Sequence, residues 1–210
     1  AATYKGLRIS TDGGTTWTNP IPNSDPNFEL PATNVEISND GSVIVASINN
    51  QAYVCNTNDD VFVLKSDANN IPTDVIRIEF AIAPSNSNHI YCLAVNNDGK
   101  LKNIYESIDK GNTWTPVISN VTNQFQPFGT SKNKQGKYHC SIAVSPTNDS
   151  TIYIGGVDLY RYHPHTSFEQ LTAYYLPSYS SKYVHQNIFD IQFSPNFSTD
   201  KTIYVATDGG

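Results

Sequence analysis

The chain has 210 residues and a net charge of −6, and this length is enough to bury the core of one large or two small domains. Its 13 Lys and Arg residues are scattered, so we predict no nucleic-acid partner, because affinity for a phosphate backbone comes mainly from clusters of these residues. No apolar run approaches the roughly 18 residues of a membrane-spanning helix, so we predict no insertion into a membrane.

The first element in chain order ends in a motif that returns later. Residues 10 to 17 read STDGGTTW and residues 107 to 114 read SIDKGNTW, and both fit Ser-x-Asp-x-Gly-x-Thr-Trp. We expect the Asp to accept backbone N–H groups, the Gly to adopt a positive φ and the Trp to fold back as an apolar plug. These structural residues are Ser10, Asp12, Gly14 and Trp17 in the first copy, and Ser107, Asp109, Gly111 and Trp114 in the second.

A second pattern alternates with the first along the chain. An alternating strand ends at a Pro, a polar turn follows, and Ile-Tyr opens the next strand, at residues 78 to 95, 141 to 157 and 190 to 207. A degenerate copy covers residues 35 to 48. Since no window shows a sustained helical period, we predict an all-β fold, a β-propeller of four-stranded antiparallel blades with these hairpins.

The blades are predicted at about 33–68, 76–118 and 138–172, with a further unit made of 187–210 and 1–20. That last unit would join the two ends of the chain in one composite blade and close a ring of about four blades. Alternatively, residues 1–210 are a segment of a larger propeller, which we favour because rings of four blades are at the small end of the range. A chain without an initiator Met is expected to be processed or to belong to a longer protein.

The two complete motifs resemble those of Asp-box, or bacterial neuraminidase repeat, β-propellers, a superfamily that includes sialidases, xyloglucanases and sortilin receptors. Residues 138–162 and 182–210 are most similar to secreted multi-blade repeat proteins of Bacteroidetes-type bacteria. The resemblance also implies a His-x-Asp-x-His cluster before the last strand pair. Only His185 matches that cluster, because Asn187 and Phe189 stand at its other two positions.

The residues do not predict a catalytic site. Aligning the first strand of each blade places Asn34, Glu79, Ser141 and Asp190 at one equivalent position, near one mouth of a central channel. Glu79 and Asp190 are the acids in this ring and the weak candidates for hydrolytic chemistry, which needs two carboxylates across a cleft. A sialidase activity is not expected, because the chain has no Arg-Ile-Pro element.

No metal or cofactor is predicted either. Residues 56 to 60 read NTNDD but lack the Gly and the bidentate Glu of a calcium loop, and residues 163 to 165 read HPH without a third ligand. Cys55, Cys92 and Cys140 each lie in an apolar run and are predicted to be buried thiols, and the alternative is one disulfide with one thiol left over.

The tyrosines give the clearest candidate for binding. A Pro- and Ser-rich connection between two blades carries Tyr174, Tyr175, Tyr179 and Tyr183, and His185 follows it. Tyrosines on a loop over a rigid scaffold hold sugars or protein partners, and the alternative is that they cover the edge of the ring.

The sequence therefore favours a secreted or surface-exposed module without catalysis of its own, which binds a glycan or a protein partner and belongs to a larger protein. One alternative is a fragment of a xyloglucanase-like glycoside hydrolase. Another is an architectural repeat of a surface filament or adhesin.

Overall fold

The computed structural model describes residues 1–21, 30–57, 61–67, 69–118, 125–129, 135–164 and 166–209. Short strands dominate, and the helix found among these residues, α1 (Phe197–Asp200), is a single turn. No helix in the described ranges is long and apolar enough to cross a membrane. The strands are β1 (Ala2–Thr3), β2 (Gly6–Leu7), β3 (Ala32–Ile37), β4 (Val43–Ile48), β5 (Gln51–Asn56), β6 (Val61–Leu64), β7 (Val75–Ala83), β8 (Asn86–Asn96), β9 (Leu101–Ser107), β10 (Thr115–Pro116), β11 (Ser141–Val144), β12 (Ile152–Gly155), β13 (Leu159–His163), β14 (Ser167–Gln170), β15 (Ile188–Phe193) and β16 (Ile203–Thr207).

The strands form three four-stranded antiparallel sheets in chain order: the first from β3 to β6, the second from β7 to β10 and the third from β11 to β14. Two further pairs, β1–β2 and β15–β16, stand as separate two-stranded sheets. The predicted all-β class with four-stranded antiparallel units is therefore confirmed. Where the sequence reads Asn39-Asp40-Gly41, the chain makes the predicted tight turn, with φ +69° at Gly41.

The opening strands of successive sheets lie side by side, β3 against β7, β7 against β11 and β11 against β15. Hydrogen bonds also join these strands: the Phe80 N–H donates to Asn34 Oδ1 at 3.1 Å, and Ser141 Oγ donates to the Ile188 carbonyl at 3.5 Å. These four strands surround a cleft of about 300 Å³, which we call the central cleft. The sheets are thus arranged around a common axis.

Strand β8 shows why the sheets pack face to face. Ile90, Cys92 and Ala94 contact the first sheet, whereas the alternate residues Tyr91, Leu93 and Val95 contact the third. A strand buried on both faces reads as a continuous apolar run, which is how this segment reads. Each large apolar side chain buried in this way contributes about 1.5–3 kcal/mol.

The three cysteines lie inside this packing. Cys55, Cys92 and Cys140 are buried free thiols. Burial raises the pKa of the Cys92 and Cys140 thiols well above its ordinary value, so neither is activated as a nucleophile.

The two repeated motifs fold into the same turn. The Ser10 hydroxyl donates to Asp12 Oδ1 at 2.8 Å and accepts the Gly14 N–H at 2.8 Å, while Asp12 accepts the Thr16 N–H at 2.9 Å. The Trp17 indole donates to the Gly14 carbonyl at 3.0 Å. The second copy repeats each of these bonds within 0.1 Å, at Ser107, Asp109, Gly111, Thr113 and Trp114.

The two turns differ in what covers them. Trp114 is 4% exposed and packs on Phe80 with ring centroids 5.9 Å apart, whereas Trp17 is 52% exposed. A Cβ on Gly111 would lie 2.9 Å from Val54 Cγ2, which shows how closely the first sheet covers the second turn. The hydrogen bonds of the motif therefore form whether or not a neighbouring sheet covers the Trp.

We predict that Trp114→Ala costs about 3–5 kcal/mol of unfolding free energy, because it empties a buried site. Trp17→Ala in the same motif should cost less than about 1 kcal/mol, because its side chain is half exposed. Urea unfolding of both variants measures the difference. Equal losses would mean that the hydrogen-bonded turn, and not the covering sheet, supplies the stability of the motif.

A polar cluster around the buried His89 joins the second and third sheets, and the two carboxylates of the cluster are partly exposed. His89 Nε2 lies 2.6 Å from Glu106 Oε1 in its own sheet. His89 Nδ1 lies 3.3 Å from Oδ2 of Asp149, which lies in the β11–β12 turn of the third sheet. Tyr91 Oη donates to the same Glu106 oxygen at 3.0 Å, and Asn86 Nδ2 donates to Asp149 Oδ2 at 2.9 Å. Burial alone lowers the pKa of His89, but the bonds and charges of the two carboxylates outweigh it and raise the pKa above 6.5.

This cluster predicts a pH dependence with a defined sign. Because the folded pKa of His89 is raised, its contribution to stability is complete below about pH 6.5 and is lost as the pH rises through the folded pKa. His89→Gln should flatten the fall of the melting temperature between about pH 6 and pH 9, followed by circular dichroism. Parallel curves for the two proteins would contradict a charged bridge at this position.

Candidate functional site

The connection between β14 and β15, residues 171–187, carries most of the predicted binding residues, and we call it the tyrosine connection. It is a compact loop closed by its own backbone: the Ala173 N–H donates to the Lys182 carbonyl at 2.9 Å. Further turns are closed by Ser180 N–H to the Pro177 carbonyl at 2.8 Å and Tyr183 N–H to the Ser180 carbonyl at 3.0 Å. The loop is therefore ordered by its own bonds.

A single carboxylate ties this connection to the third sheet. Asp158, buried in the turn between β12 and β13, accepts hydrogen bonds from Thr172 Oγ1, the Tyr174 N–H and Gln170 Nε2, each at 3.0 Å. Burial raises the pKa of this carboxyl, and the three donors oppose that rise. Asp158 thereby sets where the chain leaves β14 and where Tyr174 begins.

The structure brings two of the four predicted tyrosines together. Tyr174 and Tyr175 are 42% and 69% exposed, and their rings meet edge to face with centroids 5.9 Å apart. Tyr179 is 89% exposed and Tyr183 is partly buried, and neither belongs to the cleft beside the first pair. The tyrosines are thus one close pair and two separate side chains.

The close pair lines a cleft of about 360 Å³ between the tyrosine connection and the β12–β13 turn, which we call the tyrosine cleft. Sequence reasoning identified its two tyrosines but missed its other walls, because they come from separate segments that carry no common motif. Its described lining residues are Gln126, Pro127, Gly129, Gln135, Val157, Asp158, Tyr160, Gln170, Tyr174, Tyr175 and Gln186.

His185 lies next to this cleft in sequence but is held elsewhere. Its Nδ1 lies 2.9 Å from Asp208 Oδ1, and Asn187 Nδ2 donates to the other oxygen of Asp208 at 2.8 Å. The pKa of Asp208 is lowered, mainly by the hydrogen bond from the Asn187 side-chain amide and to a smaller extent by the charge of His185. As a ligand-binding residue, His185 stays a prediction.

The two acids predicted at the channel are placed differently. Asp190 on β15 is exposed in the central cleft, whereas Glu79 on β7 is buried outside its lining and pairs with Arg77 Nε at 2.8 Å. Arg77 also donates to the carbonyls of Lys137 and Tyr138, at 3.0 and 3.1 Å, so the pair holds the segment before β11. This gives Glu79 a structural role in addition to any chemical one.

A third acid, Glu36, joins Asp190 in the central cleft and was not predicted. It lies two residues after Asn34 on β3, and the alternation of a strand puts both on one face, so the sequence did contain the signal. Loss of hydration in the cleft raises the pKa of Glu36, and the charge of Asp190 adds to this. Burial likewise raises the pKa of Glu79 to about 7, with Arg77 opposing and Glu36 adding to the shift.

Within the described ranges, no group of three His, Cys, Asp or Glu side chains is placed to hold a metal ion. Most of the NTNDD segment and the second His of HPH, at positions 58–60 and 165, lie outside the residues that the structure describes.

Comparison with known proteins identifies the fold. The chain is similar to a glycoside hydrolase of family GH74 from Niastella koreensis, with 22% identity and a TM-score of 0.58 over 83% of this chain and 26% of that one. It is also similar to the extracellular domain of BT4673 from B. thetaiotaomicron, with 19% identity and a TM-score of 0.57 over 97% of this chain and 23% of that one. YCF48 bound to D1 peptide shares 14% identity with a TM-score of 0.52, over 91% of this chain and 53% of that one.

The chain is thus a β-propeller fold, as predicted, and it spans about a quarter of the length of the first two of these proteins. At these identities the likeness concerns the fold. No protein-family model and no curated protein sequence matches the chain.

The environment of Glu79 generates a prediction for stability. Because its pKa rises from 4.5 to about 7 on folding, the folded state binds the proton more tightly, and stability should fall as the pH rises between these values. The expected loss is about 1.4 kcal/mol per pKa unit. Glu79→Gln should flatten this part of the profile in urea titrations.

Glu169→Gln, which changes an exposed carboxylate on β14, is the matched control and should leave the profile unchanged. An unchanged profile in Glu79→Gln as well would show that Arg77 keeps the Glu79 carboxyl ionised throughout.

Proposed function

We propose that this chain is a β-propeller module without catalytic activity of its own, part of a larger protein at the cell surface or outside the cell, which binds a glycan or a protein through the tyrosine connection. The observation that carries the proposal is the contrast within this connection. Asp158 and internal hydrogen bonds fix its backbone, while Tyr174, Tyr175 and Tyr179 stay exposed.

Rigid, exposed tyrosines suit binding for a physical reason. Each offers a large amphipathic surface with few rotatable bonds, so little conformational entropy is lost when a partner covers it. A loop already closed by backbone bonds also avoids the cost of ordering on binding.

Two of the compared structures agree with such a role in their own proteins. YCF48 was solved with a D1 peptide bound, and the BT4673 structure is of an extracellular domain. These facts support, by analogy of fold, a partner-binding module placed outside the cell.

A second candidate is the fragment of a glycoside hydrolase. It is favoured by Glu79, whose pKa is raised to about 7 by burial, with the charge of Glu36 adding to the rise. Glu36 in turn shares the central cleft with Asp190. A general acid and a second carboxylate are the groups that glycoside hydrolysis needs. Against it, Glu79 is buried and tied to Arg77, away from the lining of that cleft.

The experiment for the main proposal presents both partner classes to the whole chain: a printed array of neutral and acidic glycans, and a phage library of random peptides. Ligands selected by the wild-type chain should bind at least about tenfold more weakly to the Tyr174→Ala/Tyr175→Ala/Tyr179→Ala variant, because exposed aromatics supply the anchoring contacts. Tyr4→Ala, which removes an exposed tyrosine from the β1–β2 turn, is the control and should bind normally.

If neither library yields a ligand that depends on these tyrosines, the connection is not a binding surface. The same preparation is incubated with xyloglucan, and reducing ends are measured. Their release, abolished in Glu79→Gln, would replace the main proposal with the hydrolase.

A further inference from the structure

The tyrosine cleft has an aromatic corner. The rings of Tyr174 and Tyr175 stand nearly perpendicular, with an interplanar angle of 86°. Two perpendicular rings offer one flat face and one edge to the same occupant. The flat face suits the C–H side of a sugar ring, which is apolar, while the hydroxyl groups of the sugar point outward to polar walls.

Those polar walls carry amides whose orientation is already set. Gln126 Oε1 accepts the Leu101 N–H at 3.1 Å, which leaves its NH₂ group without a partner among the described residues. Gln170 Nε2 donates to Asp158 Oδ2 at 3.0 Å and to the Thr172 carbonyl at 2.8 Å. Its Oε1 accepts no hydrogen bond from the described residues.

The cleft therefore presents one oriented donor and one oriented acceptor. A hydroxyl group can both donate and accept a hydrogen bond, so it matches this pair. Because the bonds to Leu101, Asp158 and Thr172 hold the amides before any ligand arrives, binding does not have to order them.

The charge of the lining excludes one class of ligand. Among the described lining residues there is one carboxylate, Asp158, and no Lys, Arg or His. Asp158 already accepts three hydrogen bonds from the protein, and no cation is in place to hold an anionic group. An acidic saccharide would meet like charge with nothing to compensate for it.

We propose that the tyrosine cleft binds a neutral saccharide, with one sugar ring against Tyr175 and its hydroxyl groups on the amides of Gln126 and Gln170. This inference rests on the proposed function and specifies its ligand. The volume of about 360 Å³ lies at the lower end of the roughly 300–1,000 Å³ typical of ligand sites. A few sugar units therefore fit, and the rest of a longer chain would lie outside the cleft.

The experiment titrates the ¹⁵N-labelled chain with three neutral probes, cellotetraose, xylotetraose and mannotetraose, and with the anionic probe trigalacturonate. At least one neutral probe should bind in a saturable manner and shift the side-chain NH₂ signals of Gln126. Tyr175→Ala should weaken that binding roughly threefold to tenfold, as expected for the loss of one aromatic contact. Tyr175→Phe, which keeps the ring, should bind like the wild type.

Tyr4→Ala is the matched control, because it removes another largely exposed tyrosine outside the cleft. The proposal is overturned if no neutral probe binds at probe concentrations up to about 10 mM, since weaker binding would correspond to less than about 3 kcal/mol of binding free energy. It is also overturned if trigalacturonate binds more tightly than all three, or if Tyr4→Ala weakens binding as much as Tyr175→Ala.

Failure here is separable from failure of the proposed function. A selected peptide that needs the tyrosines, together with no saccharide binding, would keep the binding module and remove the sugar. A neutral probe that binds with undiminished affinity to Tyr175→Ala would remove the cleft as its site.

Discussion

Successive β-sheets of this chain pack face to face, and this packing holds every other part of the fold in place. The inner strands of the three four-stranded sheets are buried on both faces, as β4, β5, β8 and β12 show, so a sheet without neighbours would expose apolar surface to water. In β8 the even- and odd-numbered side chains around Tyr91 enter two different cores, one with the first sheet and one with the third. The hydrophobic effect thus requires a neighbour on each side of a sheet, and this requirement places successive sheets around an axis.

The same packing explains why identical local motifs end in different environments. The turns at Asp12 and Asp109 are closed by the same hydrogen bonds, and these bonds involve residues close in sequence. Whether the Trp at the end of the turn is buried depends on a sheet formed by a distant part of the chain. Local structure is therefore repeated faithfully, while burial, which decides stability, is not.

Buried polar groups hold the loops that the apolar packing leaves outside. Asp158 ties the tyrosine connection to the third sheet, and Arg77 ties the segment before β11 to Glu79. A buried carboxylate without partners would be costly, so each of these groups is stable only when its loop is in place. The result is that loops with little regular structure still present their side chains in fixed positions.

The all-β class, the four-stranded units and the hairpin turns could be predicted from the amino-acid sequence alone. All of these follow from period-two alternation, from Gly and Asp at turns and from local composition, which act over a few residues. The position of Glu36 in the central cleft could also have been predicted in this way, since Glu36 lies on the same face of β3 as Asn34.

The sequence alone could not show that Tyr174 and Tyr175 share a cleft with the amides of four glutamines, or that Glu79 is buried against Arg77. The four glutamines are Gln126, Gln135, Gln170 and Gln186. These neighbours are brought together from separate loops and strands by the way sheets pack on one another. A single sequence records which side chains are available. The distances between side chains that are far apart along the chain depend on the packing of all the sheets at once.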